Sequence, residues 1–227
     1  MPTPIASYFA SDIATGNLVL GPFTPTDGEL LTVLASTWDT GNPAGASTGG
    51  SLTYTPRITV APGGFNGWAR IDSAVVSGSP GSMSVTVAGT GSNSRHSAAL
   101  IRWPVGCMVG AVNSTVSGSG APSANVTTTG ANSGIAQVSC DVASQDPTTR
   151  TYRNSAAEAG LLDGHVGANS VQYHAYVADI GAIGTYAIGL TAPSAQTWVL
   201  AALEILAPPP AADGRAPALI TPYSSFF

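Results

Sequence analysis

Lysine is absent from this chain of 227 residues, and all seven of its cationic side chains are arginines. Charged residues amount to only 8%, the formal net charge is −5, and the arginines are scattered. No basic stripe is available to neutralise phosphates, which argues against nucleic acid and anionic membranes as partners. No apolar run approaches the roughly 20 residues that a membrane-spanning helix needs. The opening Met1-Pro2-Thr3-Pro4 has neither the basic nor the apolar region of a signal peptide. The expectation is a soluble protein that reaches its destination without a conventional export signal. Cysteine is nearly as scarce, and Cys107 and Cys140 alone make no disulfide framework. In Ala136-Gln137-Val138-Ser139-Cys140-Asp141-Val142 the alternation places Cys140 on the apolar face, where a free thiol behaves as a small hydrophobe. A bond to Cys107, on a different predicted strand, is the alternative.

What the chain does contain is Gly, Ser, Thr, Ala and Val, arranged as period-2 segments with Gly, Pro, Asn and Ser between them. That pattern predicts an all-β fold. Strands are expected near residues 5–9, 17–20, 30–38, 51–55, 57–61, 68–76, 82–88, 97–103, 107–112, 124–128, 135–143, 171–177, 185–191 and 197–206. Residues 155–162 read as a helix of about two turns. The Gly-, Ser- and Thr-rich stretches 41–50 and 114–123 read as long loops. With no exact internal repeat, the expected architecture is one antiparallel two-sheet sandwich up to about Leu206. Its buried residues should include Val33, Val85, Val87, Val138, Cys140, Ile188, Leu190, Leu200 and Leu203. The segment Trp198-Val199-Leu200-Ala201-Ala202-Leu203-Glu204-Ile205 is apolar on both faces. It therefore reads as a central strand with a second cover, a neighbouring subunit being one such cover.

Motifs that carry chemistry are weak. Gly45-Ala46-Ser47-Thr48-Gly49 matches the G-x-S-x-G nucleophile elbow, but no helix follows it, so Ser47 is not expected to be a nucleophile. Gly118-Ser119-Gly120-Ala121 lacks the helix N-terminus that would hold a phosphate and reads as a loop tip. His96, His165 and His174 are dispersed without zinc spacing and read as surface or loop residues, with Asp163 a partner if His165 and His174 share a site. The carboxylates Asp72, Asp141, Asp163, Asp179 and Glu204 form no calcium-loop pattern. No catalytic residue, metal ligand or cofactor site is assigned. Among the tryptophans, Trp68 and Trp198 read as caps of the core, which leaves Trp38 and Trp103 as contacts for a glycan. The sequons at Asn113 and Asn125 matter only in a eukaryotic secretory setting.

The C-terminus is a different kind of sequence. Ala207-Pro208-Pro209-Pro210-Ala211-Ala212-Asp213-Gly214 is a stiff spacer, and Leu219, Ile220, Tyr223, Phe226 and Phe227 follow it as apolar anchors. Three prolines favour an extended polyproline II path rising about 3.1 Å per residue. The organisation expected is an N-terminal strand or extension (1–21), a sandwich (22–206) and a Pro-rich spacer with an anchoring arm (207–227).

Several segments in order resemble a jelly-roll domain of virion proteins of tailed bacteriophages, especially those of actinobacterial hosts. They are Pro22-Phe23-Thr24-Pro25-Thr26-Asp27-Gly28-Glu29-Leu30-Leu31-Thr32-Val33, Gly50-Ser51-Leu52-Thr53-Tyr54-Thr55, Gly81-Ser82-Met83-Ser84-Val85-Thr86-Val87, Gly184-Thr185-Tyr186 and Thr197-Trp198-Val199-Leu200-Ala201-Ala202-Leu203-Glu204-Ile205. The resemblance implies a jelly-roll β-sandwich and a non-enzymatic structural protein of the virion, either a minor tail protein or a capsid decoration protein. It would be assembled in the host cytoplasm with other virion proteins as partners. A homo-oligomer, with a trimer favoured, goes with it, and a carbohydrate-binding module gripping a host-surface glycan is the alternative. The resemblance transfers no catalytic motif, and the arm is where docking is expected.

Overall fold

The structure is a computed structural model that describes residues 1–12, 16–38, 46–61, 66–89, 95–166 and 170–209. Among these, sixteen strands run in two sets of eight. The first set is β1 (Ala6–Asp12), β2 (Leu18–Phe23), β3 (Glu29–Trp38), β4 (Ser47–Thr48), β5 (Thr55–Val60), β6 (Trp68–Val75), β7 (Met83–Val87) and β8 (Arg95–Val105). The second is β9 (Met108–Ser117), β10 (Ser123–Thr127), β11 (Gly134–Asp141), β12 (Thr151–Tyr152), β13 (Ala157–Gly164), β14 (Ser170–Val177), β15 (Thr185–Ala192) and β16 (Trp198–Leu206).

The first set forms a five-stranded sheet in the order β1-β8-β3-β6-β5 and a three-stranded sheet β2-β7-β4. The second set repeats this order strand for strand, as β9-β16-β11-β14-β13 and β10-β15-β12. Every named pair is antiparallel, with the first strand of each set beside its last and the second beside its seventh. This nested pairing over two sheets is a jelly-roll arrangement, present twice. The expected all-β sandwich is what the chain adopts, but as two sandwiches and four sheets instead of one sandwich and two.

Alternation explains the outer sheets. In β7, Met83, Val85 and Val87 are buried while Ser84 and Thr86 between them are half-buried. They close against Leu31, Val33, Ala35, Ala98 and Leu100 on one face of the first five-stranded sheet. In the second sandwich Ala124, Val126 and Ile188 close against Ile135, Leu200 and Ala202. The opposite faces of the two five-stranded sheets pack on each other. Leu30, Leu34, Ile71, Ile101 and Trp103 meet Val138, Cys140, Val199, Ala201, Leu203 and Ile205 in one cluster. In this central contact β3 lies over β11, β6 over β16, β5 over β9, and β1 over β13. The first strand of each set thus faces the fifth of the other, the self-complementary relation of a twofold pair.

This layering corrects one argument made from sequence. Strand β16 is apolar on both faces because Val199, Ala201, Leu203 and Ile205 enter the central cluster while Trp198, Leu200 and Ala202 enter the outer one. Its second cover is the chain's own outer sheet, so this strand gives no reason for a neighbouring subunit. All nine residues expected in the core are buried.

Three other readings are corrected. Residues 155–162 lie largely in strand β13, held in register along β14, and not in a helix. The stretch 114–123 is not one loop, since β9 runs to Ser117 and β10 starts at Ser123. Of residues 51–55, only Thr55 lies in a strand. Of the strand or extension expected over 1–21, the strand is what forms, because β1 occupies an edge of the first five-stranded sheet and β2 begins at Leu18. The arm from Pro210 to Phe227, with Leu219, Ile220, Tyr223, Phe226 and Phe227, lies outside the described residues.

Candidate functional site

Strand β16 ends at Leu206 and the chain passes into Ala207, Pro208 and Pro209 beside an open cleft of about 520 Å³. One wall is Met108, Leu206, Pro208 and Pro209 with Met1, and the other is the loop 129–132. Met1 and Met108 are both exposed, at 70% and 48%. None of the lining side chains is titratable, so the cleft offers apolar contact together with the polar groups of Thr129, Asn132 and the backbone.

The loop wall is held from beneath by a buried carboxylate. Glu204 follows Trp198, Leu200 and Ala202 on the outer-sheet side of β16 and is fully buried. Its Oε1 accepts from the N–H groups of Thr129 (2.8 Å) and Gly130 (3.1 Å) and from Ser133 Oγ (2.8 Å). Its Oε2 accepts from Ala111 N–H (2.9 Å) and Thr129 Oγ1 (2.8 Å). Burial alone pushes this carboxyl upward, but the donors outweigh it and its pKa is lowered from 4.5. The register of β9 on β16 shifts opposite Glu204, and Gly110 stands at that irregularity. A Cβ on Gly110 would run into the carboxylate, so the bulge needs glycine there. On the corresponding strand and face of the first sandwich stands Arg102, which donates through Nε and Nη2 to the two oxygens of buried Glu29, each at 2.9 Å. The two halves therefore close the same end of their outer gaps with different charges.

Sequence reasoning named Glu204 only as one of several scattered carboxylates. The signal that marks it is its setting, a single acid in an otherwise apolar strand, which demands a dedicated set of donors.

The other residues singled out from sequence serve the fold. Ser47 lies in β4 and is buried, donating from both N–H (3.0 Å) and Oγ (2.8 Å) to Asp72 Oδ2, while Arg70 Nε donates to Oδ1 at 2.7 Å. Gly120, at φ 89°, is no loop tip but bridges Ala195, its carbonyl accepting from Gln196 N–H at 3.1 Å. His96 and His174 are corrected from surface residues to buried ones in β8 and β14. Ser97 Oγ donates to Gln172 Oε1 at 2.5 Å and lies 2.7 Å from His174 Nε2. The serine's one proton is thus spent on the glutamine, and His174 donates to Ser97 from Nε2. Although serine and imidazole touch, all three side chains are sealed between the five-stranded sheets and no substrate reaches them. His165 does not join His174; its Nδ1 lies 2.5 Å from Asp163 Oδ1 in an exposed turn, and that hydrogen bond raises its pKa from 6.5.

Trp103 is corrected as a glycan contact. It is 0% exposed, donates from Nε1 to Thr32 Oγ1 at 2.9 Å, and sits edge-on to Tyr176. Trp38 is half-buried and packs against the central cluster, so the two rings make no exposed platform. Trp198 is buried and Trp68 half-buried. Cys107 and Cys140 are free and buried, and burial pushes the Cys140 thiol up to about 12. Such a thiol stays protonated and unreactive. Among the described residues no group of three His, Cys, Asp or Glu could hold a metal ion, and no helix is long and apolar enough to cross a membrane.

Comparison with protein-family models, with curated proteins and with solved structures finds no match to this chain.

Proposed function

We propose that this chain is a non-enzymatic structural protein of a tailed-phage particle, a minor tail protein or a capsid decoration protein, which attaches through its C-terminal arm. The observation that supports this reading is where the arm departs. The chain leaves the last strand of a fully packed sandwich at an exposed, apolar cleft and continues through three prolines into a segment rich in apolar anchors. A second support is that the buried polar side chains Asp72, Glu29, Ser97 and Glu204 are engaged in holding strands and loops. Assembly in the host cytoplasm and the virion as destination follow from the same reading. A trimer now rests on the family resemblance alone. The carbohydrate-binding alternative has lost its aromatic pair with the burial of Trp103.

The test is a deletion of residues 216–227 expressed during particle assembly. The shortened chain should fold with a nearly unchanged melting temperature and be missing from purified particles. Normal copy number in the particles would refute the arm's role and move the attachment surface onto the sandwiches.

A further inference from the structure

We infer that, before assembly, residues 219–227 seat in the cleft at the root of their own arm. The inference rests on the reading of the arm as the docking element and adds where its apolar end is kept. The cleft is walled by Met1, Met108, Leu206, Pro208 and Pro209, with Thr129 and Asn132 opposite and no titratable side chain, so its complement is an apolar segment with backbone polarity. Beyond Pro209 the chain has eighteen residues, and Leu219, Ile220, Tyr223, Phe226 and Phe227 fall among the last nine. Left in water, these side chains would form an exposed apolar cluster of the kind that drives association. Methionine suits such an occupant, because its unbranched thioether adapts to aromatic rings and attracts them.

Reach and competition decide whose arm it is. Nine residues separate Pro209 from Leu219. Nine residues reach at most about 30 Å when fully extended, and the cleft starts at Pro209 itself. Asp213-Gly214, a turn dipeptide, lies midway and permits the reversal after the prolines. A short tether holds its end at an effective concentration in the millimolar range. At protein concentrations below that, the chain's own arm outcompetes the arm of a second copy. A docking partner in the particle must then displace the arm, which keeps free chains from associating ahead of assembly.

The chain's few methionines supply the test. Met108 lines the cleft, whereas Met83 is buried between the sheets of the first sandwich and serves as an internal control. In spectra of the full chain labelled at methionine methyl groups, the Met108 signal should carry the ring-current shift of bound aromatics. Deleting residues 216–227, or making Phe226→Ser with Phe227→Ser in the full chain, should move that signal and leave Met83 in place. A peptide of residues 216–227 added to the truncated chain should restore it. The full-length signal should not change with protein concentration, and light scattering should report the same number of copies with and without the arm. A Met108 signal unmoved by both variants overturns the inference, as does a shift that appears only as the mass rises, since the occupant is then a second copy. Movement of Met83 in both variants also overturns it, because the arm would then be part of the fold. If Met108 is unmoved while the deletion still abolishes incorporation, the seat is wrong and the docking role stands.

Discussion

Glu204 organises its end of the second sandwich, because five donors from β9 and the 129–133 loop converge on its two oxygens. Glu204→Ala leaves buried N–H groups without an acceptor and should cost about 3 kcal/mol in urea unfolding. Since its pKa is depressed, this contribution is present above pH 4.5 and is lost as pH falls below it. Two other buried groups titrate in opposite senses. Burial lowers His174 from 6.5 to about 3, so its neutral form belongs to the fold and its contribution is complete above pH 6.5 and drains away toward pH 3. Burial raises Asp141 from 3.8 to about 6 against the N–H groups of Gln145 and Ala143, so its contribution is complete below pH 3.8 and is lost as pH rises through 6. Burial lowers His96 as well, so in thermal melts of the parent the melting temperature should rise with pH across this range, with Asp141 making the rise shallower. In Asp141→Asn that opposition goes and the rise steepens; an unchanged profile would show that Asp141 is not the group responsible.

At the scale of the element, two glycines fix where strands can lie. Gly110 gives the β9 bulge its closeness to Glu204, and Gly160 in β13 receives the ring of Phe9, which a Cβ would strike. Gly110→Ala should destabilise by about 2 kcal/mol through overpacking. Paired with Glu204→Ala, the two losses should sum to less than their separate values, because the alanine methyl then enters the space the carboxylate left. Additive losses would place the cost elsewhere. These elements also show what can be read from a sequence. The alternation of β7 and β15 states their buried faces, because an outer sheet meets the core on one side only. In β13, Ala157-Glu158-Ala159-Gly160-Leu161-Leu162 has helix-forming composition, and only the ladder with β14 and the Phe9 contact make it a strand. The bulge at Gly110 was equally hidden, since its reason lies 94 positions away in Glu204. The cleft's arm-side wall was legible as the Pro-rich breakpoint, whereas the loop opposite acquires its place only through the carboxylate.

At the scale of the whole molecule, the duplication escaped sequence reading because corresponding positions keep a role and not an identity. Arg102 with Glu29 closes one outer gap, and Glu204 with backbone donors closes the other. What unites the halves is the central cluster, in which side chains from both five-stranded sheets are buried together around Leu34, Ile101, Val138 and Ala201. Each half has an outer gap of its own, but each also leaves a whole apolar face that only the other half covers. Fully burying a Leu, Ile or Val side chain is worth about 1.5–3 kcal/mol, so separating the sheets would expose more than the marginal stability of a domain can supply. The two sandwiches should therefore unfold together, in a single calorimetric transition whose measured and van't Hoff enthalpies agree. Val138→Asp places an unpaired charge in this shared core and should lower the one midpoint by several kcal/mol in equivalent stability. Val85→Ala, remote in the outer gap of the first sandwich, should shift the same transition by a smaller amount. Two resolved transitions, with Val85→Ala moving only one of them, would show that each sandwich stands alone and that their central contact adds little to either.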